Sequence, residues 1–163
     1  MPEPPAMEAL ATRRITLGAI WVLHSLGISV IDEFPLGNGR RADIAGLDRS
    51  GNITIVEVKS SRADFRSDRK WQQYLDYCDR FFFAVDPEFP LTLLDEPSSL
   101  PDQTGIIVAD QFGGDVLREA PLRKIVPARR RGETLRFARL AADRLGRALN
   151  GPFKIGPADE SED

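Results

Sequence analysis

Arg40-Arg41-Ala42-Asp43-Ile44 and Ile55-Val56-Glu57-Val58-Lys59-Ser60, whose glutamate lies fourteen residues on from the aspartate, are the stretches that decide the fold. Ile53-Thr54-Ile55-Val56-Glu57-Val58 is apolar on both faces, the pattern of a central strand. Two carboxylates and a lysine interrupt segments that otherwise read as buried. Ionised groups in such a place cost several kcal/mol unless they are paired or bind a metal.

Asp48-Arg49-Ser50-Gly51-Asn52 lies between the two segments and has strong turn chemistry. If the turn centres on Ser50, facing residues have numbers that sum to 100, and Asp43 lies opposite Glu57. Cross-strand Cβ atoms are then roughly 5 Å apart. Glu57 and Lys59 share a face because side chains alternate along a strand. A one-residue slip would undo the convergence.

Working outward, 6–26 favours helix, with an apolar stripe through Leu10, Leu17 and Trp21 and a stop at Gly27. Strands are expected at 28–34, 41–47 and 53–59, forming a meander. Ser60-Ser61 can cap a helix over 62–77, and 80–85 is a further buried strand. Strand, helix, strand in that order implies a parallel neighbour through a right-handed crossover. A proline-rich loop over 87–101 precedes a hairpin (104–109 and 116–120) and a last helix over 133–149. Leu135, Ala138, Ala142, Leu145 and Leu149 give that helix one apolar face. The fold class is α/β, a mixed sheet with helices on both sides. Residues 1–150 form a single domain; 1–5 and the acidic tail 151–163 are expected to be disordered.

The chain of 163 residues is 42% hydrophobic, enough for a real core. Its net charge of −3 hides an asymmetry. Ten Lys or Arg residues lie between Arg118 and Arg147, against Glu119, Glu133 and Asp143. A single cysteine, Cys78, excludes an intrachain disulfide and fits a reducing cytoplasm. No signal peptide or membrane-spanning window is visible, so no membrane partner is expected. The single His24, set in an apolar stretch, makes a histidine metal site or a triad a poor reading.

Two adjacent carboxylates raise each other's pKa unless a cation sits between them. A hard ion, Mg²⁺ or Mn²⁺, suits Asp43 and Glu57, and the backbone carbonyl of Val58 is a candidate third ligand. Lys59 adds positive charge near an attacking water or the phosphoryl oxygens. These parts suit metal-dependent hydrolysis of a phosphodiester.

Aspartate, then Glu-X-Lys on the next strand, within a helix-strand-strand-strand-helix-strand chain, resembles the PD-(D/E)XK nuclease superfamily. The match covers about 6–86 and implies a restriction-endonuclease-like αβββαβ core, with the C-terminal hairpin and helix appended. Ala42 stands where the motif's name has proline. The longer string, Val56-Glu57-Val58-Lys59-Ser60-Ser61-Arg62-Ala63-Asp64-Phe65-Arg66-Ser67-Asp68-Arg69-Lys70-Trp71-Gln72-Gln73-Tyr74, resembles the MmcB-related DNA repair proteins. That resemblance implies a DNA-directed nuclease in repair, cytoplasmic and nucleoid-associated when bound to DNA. By motif position Asp43 and Glu57 are the metal ligands and Lys59 the catalytic lysine. Gln73 (or Gln72) and Tyr77 fill the glutamine and tyrosine places of the following helix. Glu8 fills that of a glutamate that the first helix brings to the metal.

Arg62, Arg66, Arg69 and Lys70 begin just past the triad and, with Arg129, Arg130 and Arg131, are the candidate DNA-phosphate contacts. The bland readings are a structural ion cluster and solvated, salt-linked faces. The alternative function is a catalytically silent DNA-binding or scaffold component of a repair complex. A homodimer and repair-complex proteins are further partners the sequence leaves open.

Overall fold

A computed structural model describes residues 5–152. The expected disorder of 1–4 and most of the acidic tail, 153–163, lies outside the described residues. Helix α1 spans Pro5–Ser25 and is followed by strands β1 (Ser29–Pro35), β2 (Arg41–Leu47) and β3 (Ile53–Lys59). Then come helix α2 (Arg62–Ser67), a 3₁₀ helix (Trp71–Tyr77) and strand β4 (Arg80–Val85). Short 3₁₀ turns at Leu91–Asp95 and Pro97–Ser99 lead to β5 (Gly105–Asp110), β6 (Gly113–Arg118) and helix α3 (Pro127–Asn150).

The six strands form one sheet in chain order, β1 to β6. β1, β2 and β3 are antiparallel neighbours; β3, β4 and β5 run parallel; β6 turns back on β5. The αβββαβ core and its appended hairpin and helix are therefore present, and the hairpin extends the same sheet. The β2–β3 pairs Leu47↔Ile53 to Ile44↔Val56 all follow the register centred on Ser50. Asp48 fixes that turn, its carboxylate accepting the N–H groups of Ser50 and Asn52.

β3 is buried at all seven residues. On one face Ile44, Val56, Val58, Phe82 and Ile107 meet Ile15, Ala19, Val22 and Leu23 of α1. The other face is aromatic: Phe81 and Phe83 pack with Trp71 at centroid distances of 5.2 and 4.9 Å. Phe34, Phe65 and Tyr74 join this cluster, and Phe137 and Leu140 of α3 rest against it.

Three readings need correction. The apolar stripe expected to anchor α1, through Leu10, Leu17 and Trp21, is exposed. α1 packs instead through Gly18 and its neighbours. A Cβ on Gly18 would collide with the carbonyl oxygens of Asp110 and Gly113. Close approach of the hairpin, not side-chain size, chooses the buried face.

The helix expected over 62–77 is two pieces. α2 begins with the Ser61 cap, whose hydroxyl accepts the Asp64 N–H at 3.1 Å. It ends at Asp68, whose carboxylate accepts the Lys70 N–H at 3.0 Å and draws the chain out of the helix.

The third correction concerns α3, which starts at Pro127 rather than near residue 133, because proline is pre-shaped for the first helical turn. Its expected apolar face, with Leu135, Leu145 and Leu149, points outward. The inner face carries Glu133, Phe137, Leu140 and Ala141, with Arg144 bonded to Asp32 at 2.8 Å. Phe137 and Leu140 supply the apolar contact in place of the three leucines.

Candidate active site

β1 and β2 change step beside Asp43. Regular alternation puts residues an even number apart on one face. Ile31 and Phe34, and opposite them Ala45 and Ala42, are three apart yet share the aromatic cluster. Glu33 has φ +46° at the same level. The irregularity releases Asp43 from the pleat, and the β2–β3 pairing runs only as far as Ile44↔Val56. There the Asp43 side chain takes over from the backbone, its Oδ2 accepting the Val58 N–H at 2.8 Å. In an extended strand a residue's N–H and C=O face the same neighbour, so the Val58 carbonyl is turned toward β2 as well.

Asp43, Glu57, Val58 and Lys59 line an open cleft of about 510 Å³, closed by Glu8, Ala9 and Thr12 of α1 and by Ser60 and Asp64. Burial pushes the Asp43 carboxyl up, partly offset by the Val58 N–H and the charge of Lys59. Glu57 is 6% exposed, and its Oε1 is buried with no hydrogen-bond partner. Burial and then the charge of Asp43 push its carboxyl up to about 8. Lys59 lies 3.9 Å from Glu57 Oε2 but donates at 2.7 Å to Asp68 Oδ2. Burial pulls Asp68 upward, yet the bonds from Lys59 and the Lys70 N–H outweigh it and hold its carboxyl below the usual value.

The sequence reasoning passed over Tyr74. Its hydroxyl donates to the Arg41 carbonyl at 2.8 Å, and burial and the charge of Glu57 push its pKa up. The Arg40 guanidinium lies over its ring, 4.9 Å from the centroid. In a 3₁₀ helix i and i+3 share a face, so Trp71, Tyr74 and Tyr77 align where an α-helix would align Gln73 with Tyr77. Gln73, like Gln72, is exposed. Tyr77 lies under the Arg129 guanidinium at 4.6 Å and is not among the cleft residues. Asp64 was also missed. Its Oδ2 accepts the Ser60 N–H at 3.0 Å on the cleft wall.

The basic residues divide. Arg62, Arg66, Arg69 and Lys70 are exposed beside the cleft, with Arg66 3.7 Å from Glu96. Arg131 is exposed; Arg129 is half-buried and donates to the Asp76 carbonyl. Arg130 is turned inward onto Asp79 and the Gly51 carbonyl, which removes it from the phosphate contacts.

Asp43, Glu57 with its buried, unpartnered Oε1, and the Val58 carbonyl form a donor set that a hard divalent cation fits. Among the described residues no three His, Cys, Asp or Glu side chains group as a metal cluster. An ion held by Asp43 and Glu57 would need water for the rest of its ligands, as Mg²⁺ commonly takes.

The model of the MmcB-like DNA repair proteins matches residues 5–151. The chain belongs to that family. This membership makes it a DNA repair protein and implies interaction with DNA. Among solved structures, SPO1766, a protein of unknown function from Silicibacter pomeroyi, is 39% identical with a TM-score of 0.80. The alignment covers 90% of this chain and 97% of that one. A repair endonuclease from Pyrococcus abyssi aligns over 58% of this chain and 44% of its own, at 19% identity and a TM-score of 0.34. A likeness that low carries no argument about the MmcB-like chain. No curated protein sequence gives a match. Among the described residues no helix is long and apolar enough to cross a membrane.

Proposed function

We propose that this MmcB-like protein is a divalent-cation-dependent deoxyribonuclease acting in DNA repair. The observation that carries the reading is the buried, unpartnered Oε1 of Glu57, set beside Asp43 and Lys59 in an open cleft. Folds leave few such oxygens unpaired, Glu133 Oε2 on α3 being another, and only that of Glu57 stands beside a second carboxylate and a lysine, where a cation would give it a partner. Asp43 and Glu57 would hold Mg²⁺ or Mn²⁺ with the Val58 carbonyl. When bound, the ion would supply Lewis-acid stabilisation of charge on the phosphoryl group.

The chain's own residues then have distinct tasks. Asp43 keeps one oxygen on the Val58 N–H, which fixes the carboxylate plane. Lys59 orients the attacking water or neutralises the phosphoryl oxygens. Water adds to phosphorus as the P–O bond to the leaving nucleotide breaks, and the leaving oxygen takes up a proton. Arg62, Arg66, Arg69 and Lys70 would steer the DNA backbone toward the cleft.

Cleavage of single-stranded, nicked, branched and duplex DNA with Mg²⁺ or Mn²⁺ tests this. Wild type should cut at least one substrate, and Asp43→Ala and Lys59→Ala should leave only a small residual rate. Undiminished activity in both variants refutes the assignment. Salt-dependent DNA binding with no Mn²⁺ uptake in calorimetry would favour the silent scaffold instead.

A further inference from the structure

We infer that Asp68 is the positioning residue for Lys59. The inference rests on the nuclease reading, because it concerns how that site's amine is held. The sequence suggests an ordinary surface acid among alternating charges. The geometry is different. Asp68 Oδ2 takes the Lys59 ammonium at 2.7 Å, and the two side chains are only 17% and 4% exposed. Among the described residues this is the one partner within hydrogen-bond reach of the amine, since Glu57 Oε2 stands at 3.9 Å.

Asp68 is itself fixed. Its other oxygen, Oδ1, accepts the Lys70 N–H at 3.0 Å, and its backbone leaves α2 at φ −84° and ψ 97°. A six-residue helix that stops at this residue therefore has a consequence for the cleft. Continuing as α-helix would carry the carboxylate away around the turn. Stopping there points it back along β3 to Lys59.

A lysine has three donors on a flexible four-carbon stem, so by itself it defines no direction. One short, buried anchor sets where the remaining two donors point. With one donor taken by Asp68, the other two remain for Glu57, 3.9 Å away, and for the cleft that Lys59 lines. Asp68 thus acts on the reaction through Lys59 without touching substrate.

The experiment compares wild type, Asp68→Asn, Asp68→Glu, Lys59→Ala and the double variant Lys59→Ala/Asp68→Asn. Asp68→Asn should lower kcat about 10- to 100-fold, the usual effect of removing an orienting partner. KM and Mn²⁺ affinity by calorimetry should stay within about two-fold, and Asp68→Glu should recover part of the rate. The double variant should be no slower than Lys59→Ala, because two residues acting as a unit are not additive. Additive losses, or an unaltered kcat in Asp68→Asn, would overturn the inference.

A second readout needs no turnover. Wild type should give a solvent-protected lysine ammonium resonance in ¹H–¹⁵N spectra, assigned by its loss in Lys59→Ala. Asp68→Asn should lose it to exchange; its persistence would overturn the anchoring. If the protein cuts no DNA, the nuclease reading falls, and this resonance decides the Asp68–Lys59 relation by itself.

Discussion

Asp79 and Arg130 meet in a two-pronged ion pair, Nη2 to Oδ1 at 2.6 Å and Nη1 to Oδ2 at 2.7 Å. The aspartate side chain is fully buried and the arginine 25% exposed. The same carboxylate accepts the N–H groups of Ile53, at the start of β3, and of Ile125, just before α3. One acid therefore ties the start of the central strand to the last helix. Removing one partner of a buried pair costs about 3–5 kcal/mol, and partial exposure of Arg130 puts it at the lower end. Arg130→Ala should lower unfolding stability by about 3 kcal/mol in urea titrations, against less than about 0.5 kcal/mol for Arg131→Ala. Equal stabilities, with DNA affinity lost in Arg130→Ala alone, would return Arg130 to the phosphate contacts.

Gly18 carries the contact of α1 with the β5–β6 hairpin, where an added methyl group has no room. Overpacking of this kind costs about 1–3 kcal/mol. Gly18→Ala should lower the melting temperature by several degrees. Trp21→Ala, on the exposed side of the helix, should barely change it. The reverse order would mean that the stripe read from the sequence is the buried one after all.

What the sequence made legible were the features set by one strong local signal. The turn of Asp48 to Asn52 set the β2–β3 register, which holds as far as Ile44↔Val56 and so brings Asp43 to the level where its side chain meets the Val58 N–H. The buried run of β4 was equally plain. What stayed hidden were choices made at a distance. Which stripe of α1 is buried depends on a hairpin some ninety residues later meeting Gly18. Which face of α3 turns inward depends on Asp79 and Asp32 receiving Arg130 and Arg144. After α2, a helical period of 3.6 selected Gln73 and Tyr77, whereas the observed 3₁₀ period of 3 turns Tyr74 inward. Asp68 read as one of the alternating charges on a continuous helix, and its pairing with Lys59 needed the break to be seen.

Glu57 makes stability depend on pH in an unusual direction. Its folded-state value of about 8 lies above the ordinary 4.5. The folded protein then keeps a proton that the unfolded chain releases above 4.5, so folding stability falls as pH rises from there toward 8 and levels off beyond. In metal-free buffer the melting temperature of wild type should drop more between pH 5 and 8 than that of Glu57→Gln. Mn²⁺ should bind more tightly at pH 8 than at pH 6, because the carboxyl must lose its proton to ligate. It should also restore stability in wild type and not in the variant. Parallel melting curves for the two proteins across this range would remove the burial argument for Glu57.

The four basic residues beside the cleft differ from Arg130 in being exposed, so their effect should appear in binding and not in folding. The pair of Arg66 with Glu96 at 3.7 Å is a surface contact worth at most about 1 kcal/mol, too weak to withhold that arginine from a phosphate. Each phosphate contact releases counterions, so log K falls with log salt by about 0.9 per contact on duplex DNA. Replacing Arg62, Arg66, Arg69 and Lys70 together by alanine should weaken DNA binding and flatten that slope by about 2 to 4. Mn²⁺ affinity and melting temperature should stay nearly unchanged, because none of the four lines the cleft. Fluorescence anisotropy across a salt series measures both affinity and slope. An unaltered slope would move the DNA path away from α2 and toward the exposed arginines of α3.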